Sequence, residues 1–323
     1  MARGDPPFAW SKWLEMAGDL AGKPTRYFYR LILDLWERGQ ANEANIDDSI
    51  TAKLSAIRKE LDELTTDFFL EVVKGNVAGH ASINKFGLNG VIASGVTADI
   101  WSHGQTGGVL VWVAPTAART HTIASTDADD TSGGAGARTV KVYGLTDWDT
   151  AEVSETVTMN TASPPVTTNS YVIIHRMKVV TSGGTVAAQV NQGTITATAT
   201  GDATVTAQIE VGNGQTEMAI YGVPSVETLY ITSLGYSMNK AGGNAGLIDV
   251  DLLVNPEPDA QLKSFTHKQH MGFQTVGTST YSHHYSPPKA IAGPAIVKMQ
   301  AVSGTNSISV SGWFDAVRVT NGF

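Results

Sequence analysis

The sequence predicts a mainly β chain: a helical attachment segment and a short trimeric coiled coil, followed by antiparallel β-sandwich or jelly-roll structure. Three observations predict it. Charge density drops near residue 74: residues 1–74 hold 23 charged side chains, leaving 29 for the other 249 positions. Apolar residues recur at helical spacing before that point. After it, Thr, Val, Ala, Gly and Ser dominate and alternate with period two, the pattern of strands with one buried face.

Residues 1–45 form the expected attachment segment. Phe8, Trp10, Trp13, Leu14, Ala17 and Leu20 lie at helical intervals until Gly22. A second helix starts at Pro24, where a missing N–H costs nothing, and stops at Gly39. Phe28, Leu31, Ile32, Leu35 and Trp36 make one stripe along it, and Pro24 and Tyr27 precede that stripe among the expected docking residues. So small a hairpin buries too little to stand alone. Its aromatics are expected either to dock on a larger partner or to make a small core of their own.

Residues 46–74 carry a heptad run. Ile50, Leu54, Ile57, Leu61, Leu64 and Phe68 are separated by 4, 3, 4, 3 and 4 residues, with Leu54, Leu61 and Phe68 at a and Ile50, Ile57 and Leu64 at d. Leu at a with Ile at d disfavours two strands and points to three or four, of which a homotrimer is expected. The alternative is a single amphipathic helix lying on the β region.

Residues 75–323 form the β region, with a possible division into two lobes near residue 212. Thr194–Thr200 and Thr204–Ile209 flank Gly201-Asp202 and predict a hairpin. Further strands are expected at Val109–Val113, Thr139–Leu145, Tyr171–Val180, Thr228–Met238, Leu247–Val254, Ile296–Val302 and Ser307–Val319. Many short strands without intervening helices indicate a sandwich or jelly roll.

The bulk numbers exclude several classes. A net charge of -8 argues against a nucleic-acid surface, which needs clustered Lys and Arg. No apolar run is long enough to cross a bilayer. The chain has no cysteine, hence no disulfide, thiolate metal site or cysteine nucleophile.

Candidate chemistry is sparse. His267 and His270 would face opposite sides of a regular strand, and His283-His284 follow nearby. Asp127, Asp129 and Asp130 resemble part of a calcium loop but lack the glycine and terminal glutamate of an EF-hand. Asp249 and Asp251 would share a strand face. Asp147-Trp148-Asp149 offers two acids and a sugar-stacking ring, but acids on one strand alternate faces and no groove-forming repeat surrounds them. The expectation is therefore no enzyme, no metal and no cofactor.

Three stretches carry a resemblance. Gly22–Leu31 (GKPTRYFYRL) resembles a motif near the N-terminus of many phage fibre proteins, which implies attachment to the particle. Asp130–Thr139, with Tyr143-Gly144-Leu145 and Ser154–Val157, is similar to uncharacterised virion structural, fibre-like proteins of marine tailed phages. So are His283–Pro288 and Val310–Asp315. The resemblance implies a virion protein, assembled in the bacterial cytoplasm, with tail, neck or capsid proteins as partners and no nucleic acid or membrane. It leaves open a tail or neck fibre, a capsid decoration (cement or head-fibre) protein and a module that reads a host surface glycan. It supplies no catalytic residues.

Overall fold

Alternating sequence becomes sheet from His80 onward in the computed structural model of the chain, which describes residues 53–57, 68–104, 108–184, 190–240, 245–259, 264–275 and 277–323. The chain divides into two compact units, Met1–Phe68 and Phe69–Phe323. In the first, residues 53–57 are helical, with Leu54 exposed and Ile57 partly buried. Helix α1 (Phe68–Lys74) begins at the boundary. Gly75, at φ +77°, ends it and donates to the Val72 carbonyl, as a left-handed helix stop does.

Fifteen strands follow among the described residues, and every pairing there is antiparallel. They are β1 (His80–Ile92), β2 (Thr97–Asp99), β3 (His121–Ser125), β4 (Ala137–Leu145) and β5 (Val153–Thr158). Next come β6 (Ile173–Ser182), β7 (Ile195–Ala199), β8 (Val205–Ile209), β9 (Ile220–Val223) and β10 (Glu227–Lys240). The last five are β11 (Gly246–Asn255), β12 (Thr266–Thr275), β13 (Gly277–Ala292), β14 (Ala295–Thr305) and β15 (Ile308–Thr320).

Two sheets form a sandwich, ordered β1-β15-β10-β13 and β12-β11-β14-β2, with β9 also on β14. Setting β3–β9 aside leaves eight strands. The first of these pairs with the eighth, the second with the seventh, the third with the sixth and the fourth with the fifth. Successive pairs fall in alternate sheets, which is the wrapping of an eight-stranded jelly roll. Its core draws Ile92, Leu229, Leu234, Tyr236, Val250, Leu252, Val297, Met299, Val310 and Phe314 from both sheets. In β10 the buried set slips phase, from Leu229 and Ile231 to Leu234, Tyr236 and Met238. A bulge between Ile231 and Ser233 absorbs the slip against both neighbours, so the apolar face stays inward. Pro287 and Pro288 sit in β13, an edge strand, where a missing donor breaks no ladder.

Between β2 and β9 the chain builds a second sandwich from sheets β3-β7-β8 and β5-β4-β6. Its core includes Trp101, Trp112, Trp148, Tyr171, Ile173, Ile195 and Ile209, and takes Ile220 and Ile296 from β9 and β14. Strand β14 is therefore buried on both faces. The chain leaves the first core after Ile100 and rejoins it at Ala219, so the Gly212–Gly214 turn lies near the end of this insertion. The expected hairpin is β7–β8, with Ile195 opposite Ile209 and Gly201 at φ +92° in the turn. Val109–Val113 is not a strand. Trp112 alone is buried there, its Nε1 donating to the Thr206 carbonyl at 2.8 Å, while its four neighbours face outward.

Candidate functional site

A group of buried and half-buried ionisable side chains lies where the inserted sandwich meets the jelly roll. Lys85, Glu152, His175, Arg176, Tyr221 and Arg318 help to line a cavity of about 190 Å³. Strands β1, β9 and β15 bring Lys85, Tyr221 and Arg318, while β6 and the turn before β5 bring His175, Arg176 and Glu152. The Lys85 ammonium donates to the His175 carbonyl. His175 Nε2 lies 2.7 Å from Glu152 Oε2, and its ring stacks tilted on Tyr221 at 4.5 Å. Arg318 Nη1 is 3.6 Å from Glu227 Oε1.

Burial sets the electrostatics. It pushes Lys85 down to about 7, helped by Arg176. It also lowers His175, against the opposing pull of the Glu152 hydrogen bond and charge. Burial alone would raise Glu152, but the hydrogen bond and charge of His175, then the charges of Arg318 and Lys85, outweigh it and bring it to about 2. An amine near neutrality is the type that enzymes use as a base. Here the ammonium is engaged by a backbone carbonyl. The arrangement clamps β1 to β6 through Lys85 and His175, and sets Arg318 of β15 beside Glu227 of β10.

A second tether is built on Asp99 of β2. Its carboxylate accepts from Lys298 Nζ at 2.7 Å, Gln300 Nε2 at 2.9 Å and the Trp112 backbone N–H at 2.7 Å. Lys298 also lies 4.4 Å from the Phe265 ring centroid. One carboxylate thus pins the inserted Trp112 to a jelly-roll sheet.

The acids singled out in the sequence have structural employment. Asp130 is fully buried and accepts from Ser125 Oγ at 2.6 Å and from the backbone N–H groups of Ala137, Gln192 and Gly193 at 2.7–2.8 Å. Its oxygens are filled by donors, so the calcium-loop reading gives way to a loop organiser. A Cβ on Gly136 would come within 2.1 Å of Asp130 Oδ1, which explains a glycine there. Asp127 and Asp147 cap their own turns, accepting from Asp129 N and Asp149 N. Asp149 accepts from Ser225 Oγ, and Trp148 is core rather than a sugar platform.

His267 and His270 converge on Asp251, against the opposite-faces expectation, because β12 is bulged between them. His283 packs edge-on against Tyr285. Of the expected trimer residues, Leu54, Ile57 and Phe68 are described; Ile50, Leu61 and Leu64 lie outside the described residues. So do all the expected docking residues: Phe8, Trp10, Trp13, Pro24, Tyr27, Phe28, Leu31, Leu35 and Trp36. Sequence reasoning missed the clamp. Its members come from five separate segments, and only the lone Lys85 between Ile83, Phe86 and Leu88 breaks an otherwise uncharged strand.

No protein-family model matches the chain, and no curated protein matches it. Among solved structures, the chain is similar to infectious bursal disease virus Gt strain, with 9% identity over 80% of this chain and 79% of that one, at a TM-score of 0.21. The Gx strain structure gives 8% identity over 80% and 77%, at 0.17. The VP2 subviral particle of the same virus gives 11% over 80% and 79%, at 0.18.

Proposed function

We propose that the chain is a non-enzymatic structural component of a tailed-phage virion. In this reading it is a homotrimeric fibre-like protein, attached to tail or neck by residues 1–45 and held in threefold register by residues 46–74. The observation that carries the reading is the jelly-roll strand order, an architecture used by viral capsid and lectin domains. That support is at the level of fold. The sequence resemblance and the heptad spacing supply the rest. Leu54 and Phe68, both at a positions, are 58% and 49% exposed on the single chain, apolar surface of the kind that neighbouring copies cover. The mechanism is assembly by burial: aromatic helices seat on the particle and a/d side chains close around the axis. A second reading, capsid decoration, draws on the same jelly roll, since capsid domains use it.

Light scattering of the full chain is expected to give three times the 34.1 kDa chain mass. Leu61→Asp should yield monomer or unfolded chain, because it would place three carboxylates on the axis. A monodisperse wild-type monomer at micromolar concentration would remove the trimer. Immunolabelling of purified particles separates the two readings: one vertex for tail or neck, the whole shell for decoration.

A further inference from the structure

We propose that Asp251, His267 and His270 form a divalent transition-metal site of the zinc class on the outer face of the jelly roll. The argument starts from register. Among the described residues, β12 is the edge of its sheet and pairs with β11 alone. His267 and His270 are three apart, and in a regular strand an odd separation places two side chains on opposite faces. Here Asp251 pairs with His270 and Leu252 with Gln269, but Leu253 pairs with His267. Lys268 is therefore an extra residue, a bulge that returns His267 to the face of His270. Asp251 lies on that face too, opposite Val250 and Leu252, which point into the core.

The two imidazoles then close on one oxygen. His270 Nδ1 is 2.7 Å and His267 Nδ1 3.2 Å from Asp251 Oδ1. One ligand atom from each residue lies within 4.8 Å of the others. Zinc bonds of about 2.0–2.1 Å in a tetrahedron place ligand atoms roughly 3.3 Å apart, within side-chain adjustment of this arrangement. The carboxylate is anchored, with 6% of its side chain exposed, whereas the imidazoles are 65% and 61% exposed and reachable. Asp249 Oδ1, 4.0 Å from His270 Nε2, stands beside the site as a further acid.

Donor chemistry selects the ion. Two imidazole nitrogens and one carboxylate suit zinc and its neighbours, whereas calcium and magnesium take sets made of oxygen. The same trio serves iron in oxygenases, but imidazoles this exposed leave no enclosed space for an organic substrate, so the site binds rather than turns over. A bound ion would staple β12 to β11 and fix the bulge on an edge that could otherwise pair with another chain.

The test is calorimetric titration of the full chain with zinc chloride, alongside the visible spectrum on adding Co²⁺. We expect one saturable site per chain, Co²⁺ bands displaced by zinc, and a rise in thermal midpoint reversed by EDTA. His267→Ala and His270→Ala, both at exposed positions that leave the fold intact, should each weaken zinc by at least about 100-fold, beyond the 10–100-fold typical of losing a supporting partner. The double variant His283→Ala/His284→Ala should bind as wild type. Absence of saturable zinc binding, unchanged binding in His267→Ala/His270→Ala, or equal competition by Ca²⁺ would each overturn the site.

Discussion

The two sandwiches of the β region solve the same packing problem with different means. The jelly roll relies mostly on long strands, up to 16 residues in β13, and on a largely aliphatic core that contains no tryptophan. The inserted sandwich uses strands of 5–10 residues and fills its core with Trp101, Trp112 and Trp148. Its loops are held by buried carboxylates, Asp130 within it and Asp99 beneath it. Long strands satisfy their backbone in ladders and need only an apolar face. Short strands leave much of the backbone in loops, and buried loop N–H groups must find side-chain acceptors. The first region is stabilised by area, the second by area together with a few polar keystones.

That difference can be broken in two places. The larger effect is expected from Phe314→Ala. Phe314 is fully buried in β15, between β1 and β10, so truncation removes contacts in the central part of a jelly-roll sheet. A loss of about 4 kcal/mol is expected, read as a single cooperative urea transition moved to lower denaturant. A loss under about 1 kcal/mol would mean that the jelly roll is not the stabilising unit. The next effect is expected from Asp130→Ala, at about 3 kcal/mol, because one truncation leaves four donors without their acceptor. Its signature is local. Amide exchange should accelerate at Ala137, Gln192 and Gly193 and stay near wild type in β10 and β15. Uniform acceleration would refute the keystone role.

Much of the sheet content is legible in the sequence, because a buried face imposes period two. Thr194–Ile209 announces β7 and β8, and the phase slip between Ile231 and Leu234 even marks the bulge. The nesting is not legible. His80–Asp99 pairs with strands more than 200 residues later, and nothing local in β1 specifies β15 as its partner. β13 escapes notice because His283–Pro288 interrupts the pattern with prolines that only an edge strand tolerates. The candidate sites divide in the same way. Asp127–Asp130 is visible as an acidic cluster, but whether its oxygens face solvent or backbone N–H groups depends on how Gln192 and Gly193 fold over it. His267 and His270 are visible as a pair, yet a bulge reverses the face of one of them.

The smallest expected effect sharpens the comparison at the clamp between the two regions. Glu152→Gln removes one charged acceptor from His175, where Asp130→Ala strands four donors, so a loss of about 1.5–2 kcal/mol at neutral pH is expected. Its pH dependence identifies the cause. Glu152 is brought to about 2 in the folded chain, below its ordinary 4.5, so its contribution is complete above 4.5 and is lost as pH falls toward 2. Burial lowers His175 below 6.5, so the unfolded chain takes up its proton first and stability already declines as pH drops through 6.5. Lys85, near 7 when folded against 10.5 unfolded, makes stability rise with pH between those values. All three act in one direction: the clamp loosens toward acid. Urea midpoints of wild type across this range should therefore fall in two acid limbs, one below 6.5 and one below 4.5. Glu152→Gln should flatten the lower limb, and His175→Gln the upper. A wild-type profile that is flat from pH 7 to 4, or a Glu152→Gln profile parallel to wild type, would show that the two sandwiches are held by their shared apolar contact at β14 and not by the ionised network.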